Sequence, residues 1–265
     1  MPPVKELFFF DRFYEKGWPW YQGFFKGAGK KHLVACEICH DYLASAIACQ
    51  RIAQDLPNVK LMVCLREPVE RAFSAYLYML KVGEVACDFE TALDDVDELI
   101  DRGCYAKHLG CYLKHFGRDQ IHVTIFDDLK FDPQHFFDTL CDFLSLEHIE
   151  LSGEPRGRVL PAARSRFPKV TKFGRDMGWQ FRRWGFPGLV GKIKASTLLG
   201  TVLYRPYAPA NKPQMSPSTR SHLRQIFMPE VQRLDILLGA NFCGRWGYTE
   251  NKQSDARSFA SVSGP

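Results

Sequence analysis

Residues 59–74 constrain this chain more than any other stretch. An apolar run of strand length, Leu61–Leu65, ends in Arg66, and Pro68 follows two residues later. Proline suits the first turn of a helix, because its fixed φ costs nothing there and its missing N–H would have no partner anyway. A strand that feeds a helix in this way is the repeating unit of an open α/β sheet. Ligands of such sheets bind beyond the carboxyl ends of the strands, where the next helix turns free N–H groups and its positive dipole end outward. Arg66 is therefore expected where an anion would be held. Ser74, inside the helix, can offer a hydroxyl to the same anion.

The flanking sequence continues the alternation from Lys5 to about Leu146. Residues 33–36 are expected as a short strand, and Asp41 as the cap of a helix to about Leu56. After the Pro68 helix, Phe89, Leu93, Val96 and Ile100 form one stripe of an acidic helix, and Tyr105, Leu109, Tyr112, Leu113 and Phe116 form another. Residues 120–126 predict a strand by their β-branched content. Asp132-Pro133 opens a helix that turns Phe136, Phe137, Leu140, Phe143 and Leu144 toward a core. Strands alternating with helices imply a parallel sheet with right-handed crossovers. Ser216-Pro217 opens a C-terminal helix carrying Leu223, Phe227, Val231, Leu234 and Leu238, with Pro229 expected to start a second one. A single domain over 1–250 is expected, with a frayed polar tail at 251–265.

Composition narrows the function classes. Hydrophobic content of 46% and charged content of 25% exclude a disordered or fibrous chain. No apolar run approaches the roughly 20 residues of a membrane span. The N-terminal residues lack a secretory pattern, so a cytoplasmic setting is expected. Charge is unevenly placed. Residues 156–194 hold eleven Lys/Arg and one acid, Asp176, whereas residues 88–101 hold seven acids and no base. The segment 152–212 has no clean period and is expected to be a basic insertion or lid. Its basic stretch suits an anionic substrate or an anionic membrane surface, or is a solvated face over buried aromatics. No nucleic-acid motif accompanies it, so nucleic acid is not the expected partner. Nine cysteines, an odd number, are expected as reduced and mostly buried thiols. Cys36-Glu37-Ile38-Cys39-His40 matches the covalent haem-attachment pattern. Neither an export signal nor a second Cys-x-x-Cys group accompanies it, so no haem or metal is expected.

Several short patterns now stand in one order. Arg66-x-Pro68-x-x-Arg71-x-x-Ser74 resembles the 3′-phosphate motif of sulfotransferases that use 3′-phosphoadenosine 5′-phosphosulfate (PAPS). Lys5-Glu6-Leu7-Phe8-Phe9-Phe10-Asp11, followed by Tyr14, Lys16-Gly17 and Trp20-Tyr21, resembles the segment after the phosphosulfate loop in family members of heparan-sulfate and bacterial type. Glu37 to Tyr42, Gly103-Cys104-Tyr105 through Phe116, residues 120–133 and Lys212-Pro213 through Trp246 are each similar to later family segments. The resemblance covers about residues 4–146 and 212–246. It implies a P-loop-kinase-like α/β fold, a parallel sheet flanked by helices, with C-terminal helices. The implied activity is transfer of a sulfuryl group from PAPS to a hydroxyl or amine of a small-molecule, carbohydrate or lipid acceptor, leaving adenosine 3′,5′-bisphosphate.

By the same resemblance Glu6 matches the catalytic base, and Arg66 and Ser74 match the 3′-phosphate ligands. Tyr105 and Arg71 are further nucleotide-side candidates, and Glu37 is the next carboxylate to consider as base. Read without the family, Glu6 is a surface carboxylate at a strand end, and Arg66 a surface partner of Glu70. Three departures stand beside the match. A Lys-x-Gly-Thr-Thr-like phosphosulfate turn does not occur in the sequence, Ile38 stands where members carry lysine, and Phe8 stands where many carry histidine. A truncated gene model, a fragment or a protein that kept the fold and lost the reaction each fits these departures, and the chain as given is expected to be inactive or nearly so. The alternative is a non-catalytic nucleotide- or polyanion-binding protein of the same fold.

Overall fold

A parallel pair of strands forms the centre. β1 (Leu61–Leu65) lies beside β2 (Ile121–Ile125), in register from Leu61 opposite Ile121 to Leu65 opposite Ile125. The computed structural model describes residues 2, 5–151, 163–184, 203–207 and 211–248. In chain order its helices are α1 (Phe9–Arg12), α2 (Trp18–Gly23), α3 (Ala46–Asp55), α4 (Pro68–Val82), α5 (Phe89–Asp95), α6 (Glu98–Asp101), α7 (Tyr105–Tyr112), α8 (Phe126–Phe131), α9 (Pro133–Leu144), α10 (Pro168–Arg183), α11 (Pro217–Leu238) and α12 (Phe242–Trp246). A short antiparallel pair joins β3 (Ala163–Ser165) to β4 (Tyr204–Pro206). The expected parallel sheet thus consists of two strands among the described residues. No helix among them is long and apolar enough to cross a membrane.

The element starts follow from local chemistry. Pro68, Pro133 and Pro217 each occupy the first turn of their helix. Asp132 and Ser216 accept the backbone N–H of His135 and Thr219. α4 ends where Gly83 takes φ 71° and the N–H of Glu84 returns to the Met79 carbonyl. Only glycine enters that left-handed conformation without a Cβ penalty. Between the elements lies one core, in which Leu65, Val69, Leu99, Leu109, Leu223, Phe227, Val231 and Leu234 are almost fully buried. The N-terminal aromatics extend it, with the Phe9 and Tyr21 rings stacked 4.6 Å apart.

Several expectations are corrected. Residues 33–36 form no strand: Leu33 is 84% exposed, and the nearest backbone bond to the N-terminal residues comes after the stretch, from Glu6 N–H to the Ile38 carbonyl (2.9 Å). β propensity without a neighbouring strand does not make a strand. Asp41 caps nothing, because Arg12, Arg102 and His40 engage its carboxylate; Ser45 caps α3 instead. The acidic helix divides at Val96 into α5 and α6. Helix α9 turns only Cys141 to a buried position, its aromatics being half-buried. Pro229 starts no helix and sits inside α11, where the buried stripe Leu223, Phe227, Val231 and Leu234 runs past it. That burial offsets the lost backbone bond. The basic middle contains the helix α10. Residues 152–162, 185–202, 208–210 and the expected tail at 251–265 lie outside the described residues. All nine cysteines are free thiols, but only Cys49 and Cys141 are buried.

Candidate functional site

The strand-to-helix turn after β1 delivers Arg66 to the start of α4. Its carbonyl accepts the hydroxyl of Tyr105 (2.8 Å), a residue 4% exposed at the start of α7. Tyr105 thus acts on the arginine's backbone, and burial raises its phenol to about 12. The Arg66 guanidinium lies 5.4 Å from the Phe126 ring centre and 3.5 Å, Nη2 to Oε2, from Glu70. That separation is looser than the about 2.7–2.9 Å of a charge-assisted bond. Glu70 also meets Arg220 of α11 (2.6 Å). Glu70 and Ser74 are one helical turn apart, and Tyr78 is one turn further. Side chains four residues apart share a helix face, so Glu70, Ser74 and Tyr78 mark one flank of α4, which Arg66 reaches from the preceding turn through Glu70.

The helix N-terminus itself is not an open anion cradle. The Glu67 carboxylate, 8% exposed, accepts the N–H of Glu70 (2.7 Å) and the hydroxyl of Tyr248. An anion on this flank is met by side chains rather than by the free N–H groups that the strand–proline pattern predicts. Arg71 points away from the flank and donates to the Leu99 carbonyl, while its buried Nε finds no partner among the described residues. Burial lowers its pKa.

Glu6 lies toward the opposite end of α4. Arg182 of α10 holds its backbone, and Arg175 of the same helix pairs with Glu84 (3.2 Å) just past the end of α4. Glu6 and Phe8 hold φ of 60° and 54°, left-handed values that side chains rarely adopt. The turn is fastened from three sides. Glu6 N–H reaches Ile38, Arg182 of α10 donates to the Glu6 carbonyl, and Glu6 Oε1 lies 2.7 Å from His40 Nδ1. His40 Nε2 lies 3.0 Å from Asp41 Oδ1. Burial pushes the Asp41 carboxyl up, but the His40 hydrogen bond and the charges of His40, Arg102 and Arg12 hold it well below the usual carboxylate range. Above the turn, the Arg12 and Arg182 guanidinium groups face the rings of Phe8 and Trp179 at 4.5–5.8 Å.

Glu37 has a different place. Both its oxygens accept phenols, from Tyr42 (2.8 Å) and Tyr21 (2.9 Å), and burial raises its pKa. Tyr42 in turn accepts the Phe9 N–H (2.9 Å), so Glu37 braces the N-terminal helix.

The chain shares its fold with a solved sulfotransferase from Alicyclobacillus acidocaldarius: TM-score 0.63, 22% identity, over 93% of this chain and 87% of that one. A sulfotransferase-domain family model matches residues 48–155, which include Arg66, Ser74 and Tyr105. Residues 48–155 are thus similar to the sulfotransferase domain, on a fold shared with a solved sulfotransferase. Among curated sulfotransferases, the mouse heparan sulfate glucosamine 3-O-sulfotransferase 3B1 is 32% identical over 153 residues, covering 54% of this chain and 39% of that protein. The mouse heparan sulfate glucosamine 3-O-sulfotransferase 6 is 30% identical over 152 residues, or 44% of its length. The chain therefore spans about two fifths of the length of the curated relatives it matches.

Some residues that build these clusters are not legible in the sequence alone. Arg220, Arg102, Arg182 and Trp179 arrive from elements distant in the chain. His40 stands out in the sequence only as part of a haem-like pattern, whereas both its ring nitrogens face carboxylates.

Proposed function

We propose that this chain is a sulfotransferase that takes PAPS as donor, with Arg66 and Ser74 on the 3′-phosphate and Glu6 as the acceptor-side base. A hydroxyl or amine of the acceptor attacks sulfur in line, the S–O bond to the phosphate breaks, and adenosine 3′,5′-bisphosphate leaves. The acceptor proton goes to the Glu6 carboxylate. Like phosphoryl transfer, such a reaction depends on positioning and on stabilising spread negative charge. The observation that carries the proposal is the α4 flank, with Arg66 meeting Glu70 in its first turn, Ser74 one turn further along, and Glu6 held by α10 toward its far end. The guanidinium has donors to spend on a phosphate, since its contact with Glu70 is 3.5 Å long. The curated relatives are named for a heparan sulfate substrate, which favours a carbohydrate acceptor.

The sequence as given contains no Lys-x-Gly-Thr-Thr-like turn. Losing one preorganised donor to developing charge costs about 3–4 kcal/mol. We therefore propose that the chain as given binds nucleotide well and transfers sulfate slowly. The same observation favours a second reading, a non-catalytic nucleotide-binding protein of this fold. Calorimetry on the 265-residue chain tests the shared core of both. Adenosine 3′,5′-bisphosphate is expected to bind at least about tenfold more tightly than adenosine 5′-monophosphate, the value of about 1.4 kcal/mol from the 3′-phosphate contacts. Equal affinities would remove the 3′-phosphate site. Transfer from labelled PAPS to heparan sulfate then separates enzyme from binder, since Glu6→Gln should lower an enzyme's turnover roughly 10²–10⁴-fold.

A further inference from the structure

We propose that His40 is the positioning residue for Glu6, an imidazole supplied from outside the N-terminal segment to hold the base. The proposal rests on Glu6 being the base and goes beyond it by naming what orients that carboxylate. Its geometric ground is a chain of contacts. Glu6 Oε1 lies 2.7 Å from Nδ1 of His40, whose Nε2 lies 3.0 Å from Asp41. The Asp41 side chain is 8% exposed and fastened from two sides by Arg12 and Arg102. A ring gripped through both nitrogens cannot rotate, so the anchored aspartate transmits a fixed direction to Glu6. The backbone adds a second ground. Glu6 and Phe8, both at left-handed φ, aim the carboxylate at this ring, and Arg182 fixes the Glu6 carbonyl from the other side. Strain of that kind persists only where the surroundings over-determine it. The Phe8 ring packs edge-on against His40 at 6.3 Å and walls the imidazole on one side.

The charges facing His40 are mixed. Glu6 and Asp41 are within contact, and Arg12, Arg102 and Arg182 lie behind them on α1, on the turn before α7 and on α10. The hydrogen bond to Asp41 and then that to Glu6 raise the imidazole to about 9, against burial. When protonated, the ring donates from both nitrogens, to Glu6 and to Asp41. With 59% of the side chain exposed, solvent screens part of this effect.

Two measurements on the 265-residue chain need no turnover. In the first, NMR titration of His40 should give a value well above the ordinary one of about 6.5, falling by about a unit or more in Glu6→Gln. In the second, the Glu6 carboxyl, followed by carbon-detected NMR, should titrate higher in His40→Ala than in the parent. A histidine that only stabilises the fold would leave the Glu6 titration unmoved. An ordinary His40 value, or a Glu6 titration indifferent to His40→Ala, overturns the proposal. Should His40→Ala fold poorly, His40→Asn keeps a donor and serves in its place. Wherever transfer from labelled PAPS is measurable, His40→Ala should lower kcat about tenfold or more with KM for PAPS within about twofold. An unchanged kcat also overturns it. Adenosine 3′,5′-bisphosphate binding should be equal in both proteins. A parent chain that fails to bind that nucleotide instead removes the proposed function while the His40–Glu6 result stands.

Discussion

Arg66→Ala should separate nucleotide affinity from fold stability. Without nucleotide, Arg66 spends its charge on Glu70 at 3.5 Å, with the two side chains 26% and 37% exposed. A pair this exposed contributes about 0–1 kcal/mol. Glu70 keeps its second partner, Arg220, at 2.6 Å, so no carboxylate is left buried and alone. The cation–π contact with Phe126 adds about 0.5–1 kcal/mol. The expected loss of stability is therefore about 1 kcal/mol, or about 2–4 °C in Tm. Toward a 3′-phosphate the same guanidinium makes charge-assisted hydrogen bonds of about 1.5–3 kcal/mol, so its removal should weaken binding about 10- to 150-fold. Glu70→Gln has the opposite sign, because it removes a carboxylate that competes with the phosphate for both arginines. Calorimetry with adenosine 3′,5′-bisphosphate and adenosine 5′-monophosphate, beside a thermal melt, reads all three quantities. If Arg66→Ala weakens the bisphosphate by less than about threefold, or weakens both nucleotides alike, the assignment of the α4 flank is refuted.

Three further outcomes follow from packing and ionisation. A methyl group on Gly103 would lie 2.7 Å from the fully buried Phe227 ring, so Gly103→Ala should cost about 1–3 kcal/mol in urea unfolding, and Gly110→Ala, inside α7 with open space around it, should instead stabilise by up to about 1 kcal/mol. Tyr248→Phe leaves the buried Glu67 carboxylate without its phenol donor and should destabilise by about 1–3 kcal/mol, measured by chemical denaturation; an unchanged midpoint would contradict the contact. His40 is raised to about 9, so its contribution to stability is present below its unfolded value of about 6.5 and is lost as pH rises through about 9. The stability gap between parent and His40→Ala, under about 1 kcal/mol after solvent screening, should therefore be larger at pH about 6 than at pH about 10.

What the sequence disclosed and what it hid divide along the distance over which the chemistry acts. β1, Arg66, Pro68 and α4 were legible because an apolar run, a charge and a proline settle that turn within a dozen residues. The starts of α9 and α11 were legible for the same reason. α10 was hidden by Gly174 and Gly178, each costing about 1 kcal/mol in a helix interior, so its formation depends on tertiary contacts such as Arg175 with Glu84 (3.2 Å). Residues 33–36 carry β-forming side chains without a neighbour to pair with. Asp41 looks like a cap in the sequence, yet its partner Arg102 is 61 residues away. The pairing of Arg66 and Ser74 was read from spacing and resemblance, whereas Arg220, which shares Glu70 with Arg66, is 150 residues from that carboxylate and carries no local signal.

The latch between α10 and the N-terminal turn also bears on how the protein opens. Arg182 grips the Glu6 carbonyl, and Trp179 rests on Phe8 at 5.0 Å, yet the helix carrying both keeps most of its length toward solvent. The latch couples the strained turn to α10, so residues 6–13 and 171–183 should exchange their amide hydrogens as one cooperative unit. Opening that unit would lift Leu7, Phe9 and Phe10, each at most 2% exposed, out of the core, so it is held by burial as well as by the latch, while Arg66 and Tyr105 are fastened to each other independently of it.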